Sequence, residues 1–200
     1  MAYGQSHPDK VIAFILRGIF FAGKKDEQQI LFGIREYFPD AWQEMVNHLP
    51  SNEQENIISS FYNRILSQDP HISEPAAYAF MKYDLNCAFL HIWADKLEEI
   101  LKNKSMVIGV AKTFSHYASN DFFLSENQLI NNIGKINHIH CIILNGRYDV
   151  ITIPKSAYYL HGHWKNSKLV IVEKSGHSAL DDQMQIALRE AIRSMLEEIG

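Results

Sequence analysis

The sequence has only two cysteines, which excludes a disulfide framework, and no apolar run as long as a membrane-spanning helix. Basic side chains are not in excess, since 19 Lys and Arg stand against 23 Asp and Glu, for a net charge of −4. That balance does not suit the neutralisation of phosphates, so we expect neither a nucleic-acid nor a membrane partner. The first residues lack the basic-then-apolar pattern of a secretory signal, which predicts a cytoplasmic location.

The ten histidines do not form a metal-binding motif with the cysteines. Two pairs have the H-x-H spacing, His138 with His140 and His161 with His163. Two imidazoles do not complete a metal site, which needs three or four ligands. We therefore expect no metal and no other cofactor, and we interpret these histidines as polar surface or hinge residues.

Two short β-branched runs, at 141–144 and 169–172, each lead to glycine and polar residues. Apolar runs without alternation are typical of parallel strands that are covered on both faces. A helix predicted at 154–164 joins them, and a right-handed crossover brings both following loops to one edge of the sheet. Those loops carry Asp149 and His177. Together they predict the acid and base of a nucleophile–His–acid triad. The alternative is that both side chains are merely solvated or cap a helix.

The rest of the chain predicts an α/β protein interrupted by a long helical region. Residues 1–23 are interpreted as the end of a helix, a turn and a strand at 11–16. Residues 24–124 are predicted to be a helical cap, and 125–200 the C-terminal part of the α/β core. The individual helices are expected at 24–38, 41–49, 51–66, 74–102, 106–117, 126–136 and 182–199.

Several motifs carry a family resemblance that covers essentially the whole chain. They are Gly146-Arg147-Tyr148-Asp149, Ala157-x-x-Leu160-His161, Trp164, Gly176-His177-Ser178-Ala179, His7-Pro8-Asp9-Lys10-Val11, Leu16-Arg17-Gly18-Ile19-Phe20 and Phe38-Pro39-Asp40-Ala41-Trp42. The sequence thereby resembles the C-terminal part of the proline iminopeptidases, serine aminopeptidases of the α/β-hydrolase fold that remove N-terminal proline. The resemblance implies a truncated α/β-hydrolase fold that keeps the last three strands of the sheet and an inserted helical cap.

The resemblance also implies roles for individual residues. Asp149 and His177 would be the acid and base of a Ser–His–Asp triad, and residues 24–124 the cap that selects a free amino terminus. The family's cap uses glutamates to bind the substrate's ammonium group. Asp84 is expected to keep one such charge on a shorter side chain, unless it is an ordinary solvated helix residue. Phe114 stands where the other glutamate is expected.

The largest departure from the family is the absence of a G-x-S-x-G elbow. By the resemblance, residues 1–7 end the helix that follows the nucleophile, so the serine and the oxyanion loop are expected upstream of this sequence. Four serines of the chain could be considered as nucleophiles, but none of them lies in such an elbow: Ser6, Ser115, Ser175 and Ser178. We therefore expect the chain to be inactive alone and to act on peptides with N-terminal proline only if another chain completes it.

Three readings of function stay open at this point. The first is the cap and Asp/His half of a proline iminopeptidase-like enzyme. The second is a non-catalytic remnant or binding module of the same fold, and the third, weaker one is a small esterase with a cryptic nucleophile. An unpaired edge at strand 11–16 also predicts self-association or a complementing chain.

Overall fold

The computed structural model describes residues 1–23, 26, 28–91 and 94–200. The strands are β1 (Ala13–Arg17), β2 (His140–Gly146) and β3 (Ser167–Val172). The α-helices are α1 (Ala2–Ser6), α2 (Pro39–Val46), α3 (Ile57–Ile65), α4 (Pro70–Ala88), α5 (Ala94–Leu101), α6 (Lys104–Ala118), α7 (Gln128–Asn131), α8 (Pro154–His163) and α9 (Asp182–Ile199). Short 3-10 turns cover Pro8–Lys10, Ile34–Glu36, Ser51–Asn56, Asp121–Phe123 and Ile133–Lys135, and Gln29–Gly33 is a π-helical turn.

The three strands form one parallel sheet in the order β1-β2-β3. Ile143 at the centre of β2 is paired with Leu16 of β1 on one side and with Leu169 of β3 on the other. Helix α8 makes the crossover from β2 to β3, so the loops after both strands leave the sheet at the same edge. The predicted α/β class with three parallel strands is confirmed.

Apolar residues of β2 are buried on both faces of the sheet, which explains why this strand shows no polar–apolar alternation. One face packs with α8 in a core of Ile19, Ile133, Ile136, Ile139, Cys141, Ile143, Ala157, Leu160 and Trp164. The other face packs with α9 in a core of Ile142, Leu144, Val172, Met184, Ala191 and Met195. The two cores thus enclose β2 on both faces, and the loop after it begins at a buried strand end.

The chain divides into two compact units. The first consists of 1–30, 88–90 and 125–200 and contains the sheet; the second consists of 31–87 and 91–124 and is helical. In the helical unit α3 packs against α6, and Phe61 and Ile65 are fully buried. The assignment of 24–124 as a cap over the core stays a prediction.

The single helix predicted over 74–102 is wrong, because α4 ends at Ala88 and α5 begins at Ala94. The carbonyl of Ala88 accepts a hydrogen bond of 2.7 Å from the backbone N–H of Ser178, far along the chain. Residues 88–90 thus belong to the sheet-containing unit, and residues 92 and 93 lie outside the described residues. A tertiary contact of this kind leaves no trace in local helix propensity.

Three other predicted helices differ in extent. The helix expected from 51 begins only at Ile57, after a 3-10 turn, and the one expected over 126–136 shortens to α7 and a further 3-10 turn. In the helix expected over 24–38, residues 24, 25 and 27 lie outside the described residues, and the later part consists of the π-helical and 3-10 turns.

Candidate active site

Asp149 and His177 are in hydrogen-bond contact at the carboxyl edge of the sheet. Asp149 lies just beyond β2, His177 lies in the loop after β3, and the distance from His177 Nδ1 to Asp149 Oδ2 is 3.0 Å. Asp149 is only 3% exposed, whereas His177 is partly exposed. The structure therefore brings together the two residues that the sequence predicted as acid and base, while their catalytic role stays a prediction.

The carboxylate of Asp149 is fixed by its own loop. Oδ1 accepts the backbone N–H groups of Ile151 at 3.0 Å and Thr152 at 2.8 Å, and Oδ2 accepts the hydroxyl of Thr152 at 2.8 Å. Hydrogen bonds to an ionised acceptor are the strong ones, and buried carboxylates need them. Asp149 therefore has one defined orientation before any substrate arrives.

That orientation selects the tautomer of His177. A carboxylate oxygen only accepts, so the proton of a neutral imidazole facing it is assigned to Nδ1. The Nε2 atom then carries the lone pair and points away from Asp149. No side chain in the described ranges donates or accepts a hydrogen bond at Nε2. An imidazole arranged in this way is a general base for a group placed at Nε2.

Two residues at the end of β1 also contact His177. Gly18 has φ +60°, and a β-carbon there would lie 3.0 Å from Cε1 of the ring. Arg17 donates a hydrogen bond from Nη1 to the carbonyl of His177. Burial lowers the pKa of Arg17, and the charges of Asp149 and Asp181 act in the opposite direction. The end of β1 therefore contacts both the ring and the backbone of His177.

The loop that carries His177 passes very close to Gly146 at the end of β2 and is bound by the carboxylate of Asp181. A β-carbon on Gly146 would lie 2.0 Å from the carbonyl oxygen of Gly176 and 2.5 Å from that of Ser175, so only glycine fits at the end of β2. Asp181 is buried, and its Oδ2 accepts the N–H of Gly176 at 2.6 Å and the hydroxyl of Ser175 at 3.3 Å. The backbone that leads into His177 is therefore held in place.

Asp84, predicted to bind the substrate's amino terminus, and Phe114, at the place where a second glutamate is expected, both lie in the helical unit. Asp84 is a half-buried residue of α4, and its charge adds to burial in raising the pKa of Cys87 to about 12. Phe114 of α6 packs in an aromatic cluster, 5.8 Å from the ring of Phe80 and 6.3 Å from that of Tyr62. Phe114 therefore contributes apolar packing in this unit, and the expectation of a glutamate at this position stays a prediction. A role for Asp84 in binding stays a prediction.

The chain's own candidate serines have other surroundings. The hydroxyl of Ser175 contacts Asp181, and that of Ser178 accepts the N–H of Leu180 at 3.0 Å. Ser115 is fully buried in the helical unit, and Ser6 is exposed at the end of α1. Within the described residues, none of these hydroxyls forms a hydrogen bond with His177.

The paired histidines make separate contacts. His161 Nδ1 lies 2.7 Å from Ser167 Oγ, His163 Nδ1 donates to the carbonyl of Tyr159 at 2.8 Å, and His140 lies 3.5 Å from Glu198. Across the described ranges, no three His, Cys, Asp or Glu side chains are grouped to hold a metal ion. Nor does any described helix combine the length and apolar character needed to cross a membrane.

A cavity of about 770 Å³ lies in the sheet-containing unit, and Thr152 forms part of its wall. Its lining is rich in apolar and aromatic residues, among them Phe21, Ile151 and Tyr159. Asp26 also lines it and accepts the N–H of Phe21 at 2.9 Å, and burial raises the pKa of its carboxyl group. A space of this size and character suits a small, mostly apolar ligand.

Sequence reasoning missed the supporting residues Thr152, Gly18, Arg17 and Asp181. The sequence hinted at these residues only through their positions near Asp149 and near the strand ends. Thr152 follows Asp149 closely enough for its N–H to reach the carboxylate, and Gly18 ends a strand at the same edge. Their contacts with His177 join segments that are remote in sequence, so no local pattern predicts them.

The chain is similar in sequence to one protein family and to several curated proteins. The alpha/beta hydrolase fold family matches residues 1–183. The chain is 35% identical over its whole length to the proline iminopeptidase of Arabidopsis thaliana, covering 53% of that protein. It is 32% identical over 92% of its length to the proline iminopeptidase of Xylella fastidiosa (strain 9a5c), covering 59% of that protein. The chain thus spans little more than half the length of these curated relatives.

Among solved structures, a bacterial membrane phospholipase A superposes with a TM-score of 0.57. The match covers 99% of this chain and 53% of that one, at 16% sequence identity. Such a low identity bears on the fold alone. The arrangement of sheet and helices therefore agrees with the family match.

Proposed function

Because the chain belongs to the α/β-hydrolase fold family, we propose that it carries the acid and base of a serine aminopeptidase that releases N-terminal proline from peptides. The observation that supports this most is the hydrogen bond of 3.0 Å between buried Asp149 and His177, which leaves Nε2 available as the base. The similarity over the whole chain to proline iminopeptidases supports the choice of substrate.

In this proposal His177 takes the proton of a serine hydroxyl at Nε2 and returns it to the leaving amine. Asp149 holds the ring and stabilises its protonated form. Asp84 contributes to binding the substrate's ammonium group. One such charge-assisted contact contributes about 1.5–3 kcal/mol, so Phe114 in place of a second acidic residue weakens recognition of the amino terminus by about that amount.

The nucleophilic serine comes from residues outside these 200, on a longer polypeptide or a separate chain. The relatives that match this chain are longer, and β1 offers an edge where an added strand would pair. The location proposed is the cytoplasm, because Cys87 and Cys141 are free and buried, as suits a reducing compartment.

The second candidate is a non-catalytic binding module of the same fold. It is favoured by the finding that no described hydroxyl reaches Nε2 of His177. In that case the Asp149–His177 pair would be a structural hydrogen bond only. The two candidates differ in one measurable property, which is turnover once a serine is supplied.

A complementation assay tests the proposal. The chain is mixed with the part of the Xylella relative that precedes the matched region, and hydrolysis of a proline arylamide is followed. We expect no turnover by the chain alone, no labelling of it by a fluorophosphonate, and measurable turnover by the mixture. His177→Ala should abolish that turnover, whereas His138→Ala, a change at an exposed histidine, should leave it intact.

Two results would overturn the proposal. One is fluorophosphonate labelling of a serine in the isolated chain, which would mean that it has its own nucleophile. The other is a mixture that forms a stable complex yet hydrolyses the arylamide no faster with wild-type chain than with His177→Ala. That second result would favour the binding module.

A further inference from the structure

Thr152 touches both members of the Asp149–His177 pair. Its Oγ1 lies 2.8 Å from Asp149 Oδ2 and 3.0 Å from His177 Nδ1, and these two atoms are themselves 3.0 Å apart. The three atoms thus form a nearly equilateral triangle, and each pair of them is within hydrogen-bond distance. Thr152 is only 6% exposed, so solvent does not compete strongly for its hydroxyl.

The number of hydrogens in the triangle decides how it is bonded. Oδ2 of an ionised carboxylate has none, so the hydroxyl of Thr152 donates to it. The remaining hydrogen, on His177 Nδ1, then points between Oδ2 and Thr152 Oγ1, and both accept it. In the other tautomer Nδ1 carries no hydrogen, and the hydroxyl hydrogen of Thr152 is the only one among the three atoms. The lone pairs of Nδ1 and Oδ2 would then face each other without a hydrogen between them.

The backbone of Thr152 is held by two hydrogen bonds to side chains. The N–H of Thr152 donates to Asp149 Oδ1 at 2.8 Å, and its carbonyl accepts from Nδ2 of the fully buried Asn145 at 3.0 Å. On the other side, the bare Cα of Gly18 leaves room for it, since a β-carbon there would lie 3.1 Å from Oγ1. The backbone of Thr152 is therefore held on both sides of the side chain, and Gly18 leaves space for the hydroxyl between them.

We infer that Thr152 is a positioning residue for His177, an inference that rests on the proposed function for its catalytic consequence. Its hydroxyl supplies a second acceptor for the Nδ1 proton and, by donating to Oδ2, fixes the oxygen that faces the ring. The imidazole thereby keeps one tautomer and one orientation, with Nε2 presented to the reacting hydroxyl. Thr152 itself contacts no reacting atom.

The first test needs only the isolated chain. The Nδ1 proton of His177 is observed by proton–nitrogen NMR in wild-type protein and in the variants Thr152→Val and Thr152→Ser. In Thr152→Val the proton keeps only Oδ2 as acceptor, so its bond becomes two-centred and its resonance moves downfield. In Thr152→Ser the hydroxyl is retained, and the resonance should stay at the wild-type position. Ser59→Ala, which removes an exposed hydroxyl from α3, is the control.

The second test uses the complemented enzyme. Thr152→Val should lower kcat about tenfold and leave KM unchanged, because a misplaced base slows the proton transfer without altering substrate contacts. Thr152→Ser should restore kcat. A merely structural role would instead lower the amount of folded protein and leave kcat per folded molecule unchanged.

The two arms separate the inference from the proposed function. If the NMR shift occurs and a stable complex with the added half hydrolyses no arylamide, the bonding of Thr152 stands and the aminopeptidase proposal fails. If a folded Thr152→Val protein keeps the wild-type resonance, the shared hydrogen bond is wrong. A Thr152→Val enzyme with wild-type kcat would equally overturn the positioning role. Should Thr152→Val fail to fold, Thr152→Ala in the same two assays has the same expected results.

Discussion

The imidazole of His177 lies against the bare α-carbon of Gly18. These residues come from the loops after β3 and β1, at the two outer strands of the described sheet. A β-carbon on Gly18 would lie 3.0 Å from Cε1 of His177, closer than about nine in ten β-carbon contacts in proteins. Glycine therefore serves two needs here, a left-handed φ of +60° and space for the base.

Gly18→Ala should destabilise the protein and misplace the base. A left-handed conformation costs a non-glycine residue about 1–2 kcal/mol, and the ring must also move away from the new methyl group. Urea unfolding measures the first effect, and turnover by the complemented enzyme measures the second. The matched control is Gly162→Ala in α8, where a β-carbon meets nothing within 4 Å, and it should stabilise the helix by about 0.5–1 kcal/mol. Equal stability of both variants would contradict this account of Gly18.

Asp149→Asn should leave the loop nearly intact and remove activity. An amide presents an N–H₂ group as well as an oxygen, so Nδ1 of His177 no longer faces an obligatory acceptor, and the wrong tautomer becomes populated. In the complemented enzyme we expect a loss of about 10³–10⁴-fold in kcat. Asp182→Asn, an exposed change at the start of α9, is the control. Retention of more than a tenth of wild-type kcat would be inconsistent with Asp149 as the acid.

The buried thiol of Cys141 should make the folded state less stable at high pH. Burial raises the pKa of the Cys141 thiol from 9.0 to about 12, so the folded state keeps this proton after the unfolded state has lost it. The thiol's contribution to stability is therefore full below pH 9 and declines as pH rises through 12. The slope is at most about 1.4 kcal/mol per pH unit for one thiol. Urea unfolding at pH 8 and pH 10 measures the free energy of unfolding at each pH. Its decrease between the two should be smaller for Cys141→Ala than for wild type. Equal losses would mean that Cys141 titrates alike in both states.

The edge of β1 should make the isolated chain associate. All five residues of β1 are half-buried, and in the described part of the sheet this strand pairs only with β2. Ile12, just before the strand, is 76% exposed. Light scattering coupled to size-exclusion chromatography should show a mass that rises with concentration. Ile12→Lys should reduce that rise, and Leu180→Lys, at an exposed leucine away from this edge, should not. A compact monomer at all concentrations would refute the prediction.

The α/β class, the three strands and the two loops that carry Asp149 and His177 could all be predicted from the amino-acid sequence. These features depend on short-range patterns. A strand covered on both faces is apolar throughout, and β2 is apolar because α8 and α9 cover it. The right-handed crossover then places the loops after β2 and β3 at one edge without further information.

The contacts that hold His177 could not be predicted in this way, because they arise from the packing of separate segments. Gly18, Thr152 and His177 meet because β1, β2 and β3 lie side by side, although the residues are far apart in the chain. The same reason explains the wrong helix over 74–102, since the N–H that binds the carbonyl of Ala88 belongs to Ser178. Periodicity and propensity describe each segment's own preferences, whereas such contacts depend on packing between segments, which no local pattern contains.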